Sequence, residues 1–332
     1  MIKYPSIVQY RNIVKDVTRH GSTPTIRFTG TVKVHGTNAS VVIHPDGTMT
    51  PQSRNNTLDI HNDNAGFANW LEDHKQWFTD YRRYLENLGE AFEGDIVVIY
   101  GEFAGMGIQK GVAVSSVSKF FYVFGVKVMD YASSEDFWVR DRPLMEPDLS
   151  IIDATQIWTR QIDIDFTNPT LAQNGMIALT EEVENECPVG KFFGVSGTGE
   201  GVVWEHIDEK GVMISFKIKG EKHSISKVKT LAPVDVERLE SIDAFVEYAV
   251  TENRLEQAVV EVLPITTDYD LGIDSSIRDF DRKYLGAFIK WVSSDINKEE
   301  SDVLEENGLS MKDVGSKLSA KARTWFFAQE LL

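Results

Sequence analysis

Short apolar runs separated by turn residues fill the first two thirds of the chain. The runs are rich in β-branched and aromatic residues, which favour strands. Turn signals at Pro45-Asp46-Gly47 and Asp208-Glu209-Lys210-Gly211 each join two runs, as in a β-hairpin. The pattern predicts a β-rich domain that contains hairpins. The predicted strands cover residues 25–33, 39–44, 95–103, 120–129, 201–205 and 212–219.

One segment of this part has a clear helical period, over residues 66–90. Its apolar residues recur every three or four positions and many are aromatic. Such a stripe suits either a stacking platform for nucleic acid or a buried core face. Because the stripe follows a single helical face, we expect core packing. Its members are Phe67, Trp70, Leu71, Trp77, Phe78, Tyr81, Leu85 and Leu88.

The pattern changes near Pro233, beyond which the apolar positions keep helical spacing. Further helices are predicted around residues 277–292 and 311–332, and Ser310 with Asp313 forms a capping box for the last one. We therefore predict an α+β domain over residues 1–235 and an all-α domain over residues 236–332.

Composition excludes several classes of protein. The 332 residues carry 34 Lys and Arg against 51 Asp and Glu, a formal net charge of −17, which argues against a basic protein that coats nucleic acid or an anionic membrane. One cysteine, Cys187, allows no intrachain disulfide and no zinc site built from cysteines. Neither a signal peptide nor a membrane span is predicted. We expect a cytoplasmic, soluble protein.

Three lysines are placed to act together. Lys33 ends a predicted strand and precedes a turn at Gly36, while Lys217 and Lys219 alternate on a later strand and so share one face. A lysine amine is a nucleophile only when neutral, so its pKa must fall from about 10.4 toward neutrality. Nearby metal ions or lysines lower it.

Two glutamates also stand at strand ends. Glu102 lies at the end of an apolar strand, and Glu200 precedes a strand after a glycine-rich turn. Taken singly, a glutamate or a lysine pair of this kind is more often an edge residue or an ion pair. The order of the segments along the chain carries more information than any one of them.

That order resembles the covalent nucleotidyltransferases, most closely the RNA ligase 2 family of ATP-dependent RNA ligases known from bacteriophages and their relatives. The resemblance covers about residues 25–230 and implies an ATP-grasp-like nucleotidyltransferase domain of antiparallel sheets with flanking helices. Its motifs are Lys33-Val34-His35-Gly36-Thr37-Asn38, Ser53-Arg54-Asn55, Tyr100-Gly101-Glu102-Phe103 continuing to Lys110, Phe121-Tyr122-Val123-Phe124, Glu200-Gly201-Val202-Val203 and Lys217-Ile218-Lys219.

The resemblance implies ligation in three steps. The Lys33 amine attacks ATP to give a lysyl-adenylate, AMP moves to an RNA 5′-phosphate, and a 3′-OH end then forms the phosphodiester. The implied co-substrate is ATP, the metal is Mg²⁺ or Mn²⁺, and the partners are RNA ends, as in a nicked duplex during RNA repair. We expect a monomer that acts in the cytoplasm, which is the host's if the protein comes from a phage.

The resemblance also implies residue roles. Lys217 and Lys219 neutralise phosphate charge, Glu200 holds a metal directly or through water, and Glu102 lies at the ribose and the same metal. Phe124 and Val203 stack on the two faces of adenine, and Asn38 belongs to the nucleotide site. His35 orients pyrophosphate or merely stabilises the turn. Arg54 clamps a phosphate or makes a surface ion pair.

Three positions depart from the family pattern. Val32 stands where relatives have a polar adenine contact, Gly125 where an acidic residue is common, and Trp204-Glu205 where many carry a basic residue. These departures affect the fine contacts of the nucleotide. They leave the lysine and carboxylates of the motifs intact.

Other functions stay open at this point. A DNA ligase uses the same lysine, but its OB-fold would follow the fifth motif, where this chain is predicted helical. A capping guanylyltransferase is disfavoured likewise, and a silent RNA-binding relative would not need Lys33. Lysines between Lys210 and Lys229 predict a basic stripe for RNA, and Arg278, Arg282 and Lys283 a second contact in the helical domain.

Overall fold

The computed structural model describes residues 1–19, 24–130, 135–140, 146–220, 242–263, 265–266, 277–278 and 280–329. Two compact units divide the chain. One contains Met1–Val8 and Ile13–Gly220, and the other contains Gln9–Asn12 and Glu221–Leu332. The domain boundary expected after residue 235 falls outside the described residues and stays a prediction.

A five-stranded sheet carries the lysine motifs. Its strand order is β1-β11-β10-β2-β9, and the β10–β11, β10–β2 and β2–β9 pairs are antiparallel. The apolar face, which includes Phe28, Val202 and Phe216, is buried, and α4 packs on β10 and β11. The elements are β1 (Val8–Gln9), α1 (Tyr10–Thr18), β2 (Thr25–Lys33), β9 (Thr159–Asp165), α4 (Gln173–Asn185), β10 (Gly201–Ile207) and β11 (Met213–Lys219).

A second sheet, of six strands, lies in the same unit. Its order is β4-β3-β5-β6-β7, and β8 adds to β6 in parallel. The ladder between β5 and β6 shifts register at Tyr100/Gly101, which leaves Phe124 as the extra residue of a β-bulge. The strands are β3 (Thr37–Ile43), β4 (Met49–Ser53), β5 (Ile96–Ala104), β6 (Phe120–Met129), β7 (Asp136–Trp138) and β8 (Ile151–Asp153).

The aromatic stripe belongs to the core of this second sheet. Helix α2 (Phe67–Leu88) buries Phe67, Phe78 and Leu85 against apolar residues of β3, β5 and β6, which confirms the core-packing interpretation. Leu88, the last member of the stripe, is 54% exposed. The helix ends at Gly89, whose φ of 74° is readily adopted only by glycine.

In this unit, the two longest helices that the sequence prediction missed are α1 and α4. Helix α1 is short and rich in β-branched residues, which lower helix propensity. Helix α4 contains Gly175, which also weakens a helical pattern. Smaller elements complete the unit: α3 (Ala154–Ile157), α5 (Pro188–Phe192) and 3-10 turns at Ala113–Ser116, Pro147–Leu149 and Pro169–Ala172.

The second unit has its own helical core. Its buried side chains include Phe245, Phe288 and Phe326. Ser310 donates its backbone N–H and its Oγ–H to Asp313 Oδ2, at 2.8 and 2.6 Å, at the start of α10 as the capping prediction expected. The helices are α6 (Ile242–Ala249), α7 (Glu252–Val262), α8 (Leu285–Glu299), α9 (Ser301–Glu306) and α10 (Met311–Gln329).

One predicted helix begins later than expected. Over residues 277–292, the first two form β13 (Ile277–Arg278), which pairs with β12 (Ile265–Thr266). A 3-10 turn at Arg282–Tyr284 then leads into α8. Asp281 Oδ1 accepts the Lys283 N–H at 2.9 Å and starts this turn. The described part of the C-terminal region is thus helical with one short ladder.

A buried ionic cluster fixes the second unit internally. Arg254 is fully buried and donates from Nε to Asp295 Oδ2 at 2.9 Å and from Nη2 to Glu300 Oε1 at 3.0 Å. Tyr248 donates to the other oxygen of Glu300 at 2.8 Å. These contacts satisfy charges that would otherwise be costly to bury.

The α+β fold predicted from the sequence is confirmed. Within the described part of the chain, no helix combines the length and the apolar character needed to cross a membrane.

Candidate active site

Lys33 stands at the end of β2, and a tight turn follows it. The Gly36 N–H donates to Glu102 Oε1 at 3.1 Å, and Gln109 Nε2 donates to the Gly36 carbonyl at 3.0 Å. A Cβ on Gly36 would lie 2.4 Å from the Phe103 carbonyl oxygen. The turn therefore requires glycine because the backbones approach so closely, and it is fixed from both sides.

Strand register brings the two lysine motifs together around Glu200. Gly201 is opposite Lys33 on β2 and opposite Lys219 on β11. Lys33 Nζ lies 2.7 Å from Glu200 Oε2, and Lys219 Nζ lies 3.0 Å from Glu200 Oε1. His35 Nδ1 approaches Oε2 at 3.4 Å. One carboxylate thus joins the three side chains, and we call these four residues the lysine–glutamate cluster.

Burial makes this cluster electrostatically strong. The Glu200 side chain is 1% exposed, against 20% for Lys33 and 11% for Lys219. Burial alone would raise the pKa of Glu200, but attraction by Lys33, Lys219 and His35 outweighs it and holds that pKa well below its usual range. Glu200 is therefore an anion at neutral pH.

The pKa of Lys219 is also lowered in these surroundings. Burial lowers the pKa of its ammonium group, Glu200 opposes this, and the charges of Lys33 and Lys217 add to the lowering. The positive charges of Lys33 and Lys217 thus reduce the proton affinity of Lys219.

A row of side chains continues from the cluster along the same sheet face. Val203 is opposite Thr31 and Lys217, so all three lie on the face that carries Lys33 and Lys219. Val203 and Lys217 are half-buried, whereas Val202 and Trp204 point to the apolar core. Partial exposure of this kind is typical of side chains that line a cleft.

The second sheet supplies other predicted residues. Glu102 is opposite Asn38 on β3 and Tyr122 on β6, so these three share a face. Phe124 is half-buried at the bulge, where an extra residue redirects the side chain. Glu102 contacts the Gly36 turn, so this face and the lysine–glutamate cluster meet at the same turn.

Arg54 lies apart from these contacts. It follows β4, is exposed, and donates from Nη2 to Ser6 Oγ at 3.5 Å. No contact recorded for the described residues joins it to Lys33, Glu200 or Glu102. The later lysines of the predicted basic stripe, from residue 222 onward, lie outside the described residues.

One residue of this region was missed by the sequence reasoning. The Tyr4 ring packs edge-on against Phe124, with ring centroids 4.8 Å apart, and its hydroxyl donates to Glu205 Oε2 at 3.1 Å. No periodic signal marks an isolated tyrosine near the start of a chain. The signal in the sequence that could have drawn attention to this region was the departure from the family pattern at Gly125 and Glu205.

A divalent cation at this site would have few protein ligands. Among the described residues, no group of three or more His, Cys, Asp or Glu side chains is arranged to hold a metal ion. Mg²⁺ commonly uses one or two carboxylates and takes its other ligands from water and phosphate. Glu200 and Glu102 provide carboxylates of that kind.

Comparison with known proteins identifies the family. The chain matches the RNA ligase family model over residues 26–229, more than half of its length, and it belongs to that family. No curated protein sequence matches the chain.

Solved structures of an RNA ligase from Naegleria gruberi are similar to this chain. The form with PPi is 15% identical, with a TM-score of 0.41 over 67% of this chain and 56% of that chain. A mutant with ATP and Mn is 16% identical, with a TM-score of 0.42 over 67% and 57%. A mutant with AMP and Mn is 15% identical, with a TM-score of 0.42 over 67% and 56%. This chain thus matches a little more than half the length of those proteins.

Proposed function

We propose that this chain is an ATP-dependent RNA ligase that joins a 3′-OH RNA end to a 5′-phosphate RNA end through AMP bound covalently to Lys33. The observation that carries the proposal is the lysine–glutamate cluster, found in a chain of the RNA ligase family. A half-buried lysine beside a buried carboxylate and a second lysine suits chemistry on phosphate.

In the first step, the Lys33 Nζ lone pair attacks the α-phosphorus of ATP. An N–P bond forms, the P–O bond to the β-phosphate breaks, and pyrophosphate leaves. Lys33 must lose a proton first, and its contact with Glu200 favours the charged ammonium. A cation held by Glu200 would weaken that contact and so would favour the reactive amine.

Glu200 and Glu102 would hold that cation, Mg²⁺ or Mn²⁺. When bound, the metal would supply positive charge that stabilises phosphate oxygens and draws Glu200 away from Lys33. Lys219 and Lys217 add fixed positive charge on the same sheet face. His35, at 3.4 Å from Glu200, orients the departing pyrophosphate.

The base and ribose of ATP occupy the face between the two sheets. Phe124 and Val203 are half-buried, so each offers apolar surface to one face of the adenine. Glu102, opposite Asn38, accepts hydrogen bonds from the ribose hydroxyls. Arg54 binds a phosphate from outside the cluster.

The later steps use the same charges. AMP passes from Lys33 to the RNA 5′-phosphate, which breaks the N–P bond and forms a pyrophosphate linkage. The 3′-hydroxyl then attacks that 5′-phosphate, forms the phosphodiester and releases AMP. Lys217 and Lys219 neutralise the phosphate oxygens in both steps.

In this proposal the natural substrate is a nick in duplex RNA. The chain acts as a monomer, in RNA repair, and is of the bacteriophage type. In the same proposal the helical unit grips the RNA ends. Two of the cations named for that role have contacts within the protein: Arg282 lies over the Phe327 ring, 5.3 Å from its centroid, and Lys283 pairs with Asp281 at 3.1 Å. The side chain of Arg278 lies outside the described residues. A buried Cys187 supports a cytoplasmic setting, since the chain needs no oxidised thiol.

Sealing assays test this proposal. The chain is incubated with ATP, Mg²⁺ and a nicked duplex that carries a 5′-phosphate and either an RNA or a DNA 3′-OH strand. We expect sealing of the RNA nick and none when the 3′-hydroxyl is removed. Preferential sealing of the all-DNA nick would favour a DNA ligase, and RNA binding without sealing or AMP transfer would favour a silent relative.

A further inference from the structure

Tyr4 connects the two sheets at the place where adenine is proposed to stack. Its ring lies 4.8 Å from Phe124, 5.2 Å from Tyr100 and 5.2 Å from Trp138, measured between centroids, and all three contacts are edge-on or nearly so. Its hydroxyl donates to Glu205 Oε2 at 3.1 Å and approaches Met213 Sδ at 3.4 Å. The N-terminal segment thus forms part of this wall.

Two departures from the family pattern meet at this one tyrosine. A Cβ on Gly125 would lie 3.1 Å from Tyr4 Cε2 and 3.0 Å from Trp138, so the glycine provides room for the Tyr4 ring. Glu205 accepts a hydrogen bond from the Tyr4 hydroxyl. The glycine and the glutamate therefore belong to one arrangement that Tyr4 completes.

Glu205 lies on the strand face that is proposed to bind the nucleotide. Val203 and Glu205 are two residues apart on β10, and Glu205 is opposite Thr29 and Ser215, on the face that also carries Lys33. Two residues of a strand span about 6.6 Å, roughly the width of a purine. A base stacked on Val203 thus places one edge within reach of Glu205.

We infer that Glu205, held in place by Tyr4, determines base specificity by accepting a hydrogen bond from the exocyclic 6-amino group of ATP. Glu205 would be the specificity-determining residue and Tyr4 its positioning residue. This inference rests on the proposed use of ATP, and it concerns the base rather than the phosphate chemistry.

The chemistry of the pair suits that role. An ionised carboxylate only accepts hydrogen bonds and has about four lone-pair sites, so the Tyr4 hydroxyl and a base amine can bind it together. A bond to a charged acceptor is roughly twice as strong as a neutral one. Purine riboside triphosphate, which has hydrogen in place of the 6-amino group, would lose this bond.

The test compares the two nucleotides on the full chain, with covalent labelling of the protein and nucleotide binding both measured. The wild type should prefer ATP over purine riboside triphosphate by about 10-fold to 100-fold, the range of one hydrogen bond to a charged group. Glu205→Gln should reduce that preference several-fold, because its neutral oxygen is a weaker acceptor. Glu205→Ala should nearly abolish it.

Matched variants separate specificity from stability. Glu209→Gln removes a carboxylate from the exposed hairpin at the end of the same strand and should keep the wild-type preference. Tyr4→Phe retains the ring but loses the hydrogen bond to Glu205, so it should reduce the preference several-fold with a small fall in melting temperature. Tyr84→Phe, on α2, should leave the preference unchanged. A purely structural Tyr4 would lower stability in Tyr4→Phe and leave the ratio of the two nucleotides unaltered.

The outcomes distinguish this inference from the proposed function. Equal use of the two nucleotides by the wild type, a preference for GTP, or an unchanged preference in Glu205→Ala would overturn the role of Glu205. If the wild type binds ATP without covalent labelling, the proposed function fails, and the binding preferences alone decide the inference. If the wild type binds no ATP, both are wrong.

Discussion

Substitution of Gly36 by alanine tests the geometry of the nucleophile turn. The added Cβ would lie 2.4 Å from the Phe103 carbonyl oxygen and 2.9 Å from both Ala104 Cβ and Glu102 Cγ. Contacts under 3.0 Å essentially never occur for real Cβ atoms, so the backbone must shift by about 0.6 Å. A backbone oxygen cannot swing away as a flexible side chain can.

The expected cost follows from these contacts. Overpacking of this kind costs about 1–3 kcal/mol, and the shift weakens the Gly36 hydrogen bonds to Glu102 and Gln109, each worth about 0.5–1.5 kcal/mol. We expect the free energy of unfolding to fall by about 2–4 kcal/mol. At about 2–4 °C per kcal/mol for a unit of this size, the melting temperature should fall by about 5–15 °C.

Gly36→Ala should reduce the rate of covalent AMP labelling more strongly than it reduces stability. The turn holds Lys33 and His35, and a misplacement of about 1 Å in a reacting group can cost about 100-fold in rate. Urea unfolding and covalent AMP labelling, measured below the melting temperature of the variant, give the two effects separately. Gly36→Ala with wild-type stability and labelling would refute this reasoning.

Gly175→Ala is the matched control. Gly175 lies in α4, and its added Cβ would meet only Ile162 Cδ1 at 3.6 Å, an ordinary contact. Alanine in a helix interior is favoured over glycine by about 0.5–1 kcal/mol. This variant should be as stable as the wild type or more so, with unchanged labelling.

Three further predictions concern the same site and the helical unit. Glu200→Gln should abolish labelling and lower the free energy of unfolding. A broken buried ion pair costs roughly 3–5 kcal/mol, and we expect a loss toward the lower end because Lys33 and Lys219 keep some solvent contact. Wild-type labelling of this variant at high metal concentration would contradict the prediction. EDTA should abolish labelling and Mg²⁺ or Mn²⁺ should restore it, whereas full labelling in EDTA would exclude a role for metal. A chain ending near Val236 should still form the AMP adduct but seal nicked RNA poorly. Undiminished sealing would exclude an RNA-gripping role for the helical unit, and joint loss of folding and labelling would make that unit a structural support.

Much of the strand pattern could be predicted from the sequence. The strands Thr25–Lys33 and Phe120–Met129 coincide with the predicted ranges, because turn residues bound their β-branched and aromatic runs. Helix α8 was predicted to begin too early because Ile277 fits the helical spacing of the residues that follow. The turn-starting residue, Asp281, was the signal that marks the true beginning.

The site could be predicted only in part. Motif order named Lys33, Glu200 and Lys219, but strand register decides that all three meet, and no local pattern encodes that register. The bulge that redirects Phe124 arises from one extra residue in a ladder. Tyr4 and Glu205 are separated by 201 positions, and periodicity within one element cannot relate residues so far apart.

Identification of the labelled residue tests the central claim most directly. The wild type, Lys33→Ala and Lys191→Ala are incubated with ATP and Mg²⁺, and peptide mass spectrometry locates any added AMP. Lys191 is the matched lysine, since its side chain is 73% exposed and outside the cluster. We expect one AMP on the Lys33 peptide in the wild type and in Lys191→Ala, and none in a folded Lys33→Ala. An adduct on another residue, or undiminished labelling of Lys33→Ala, would contradict Lys33 as the nucleophile.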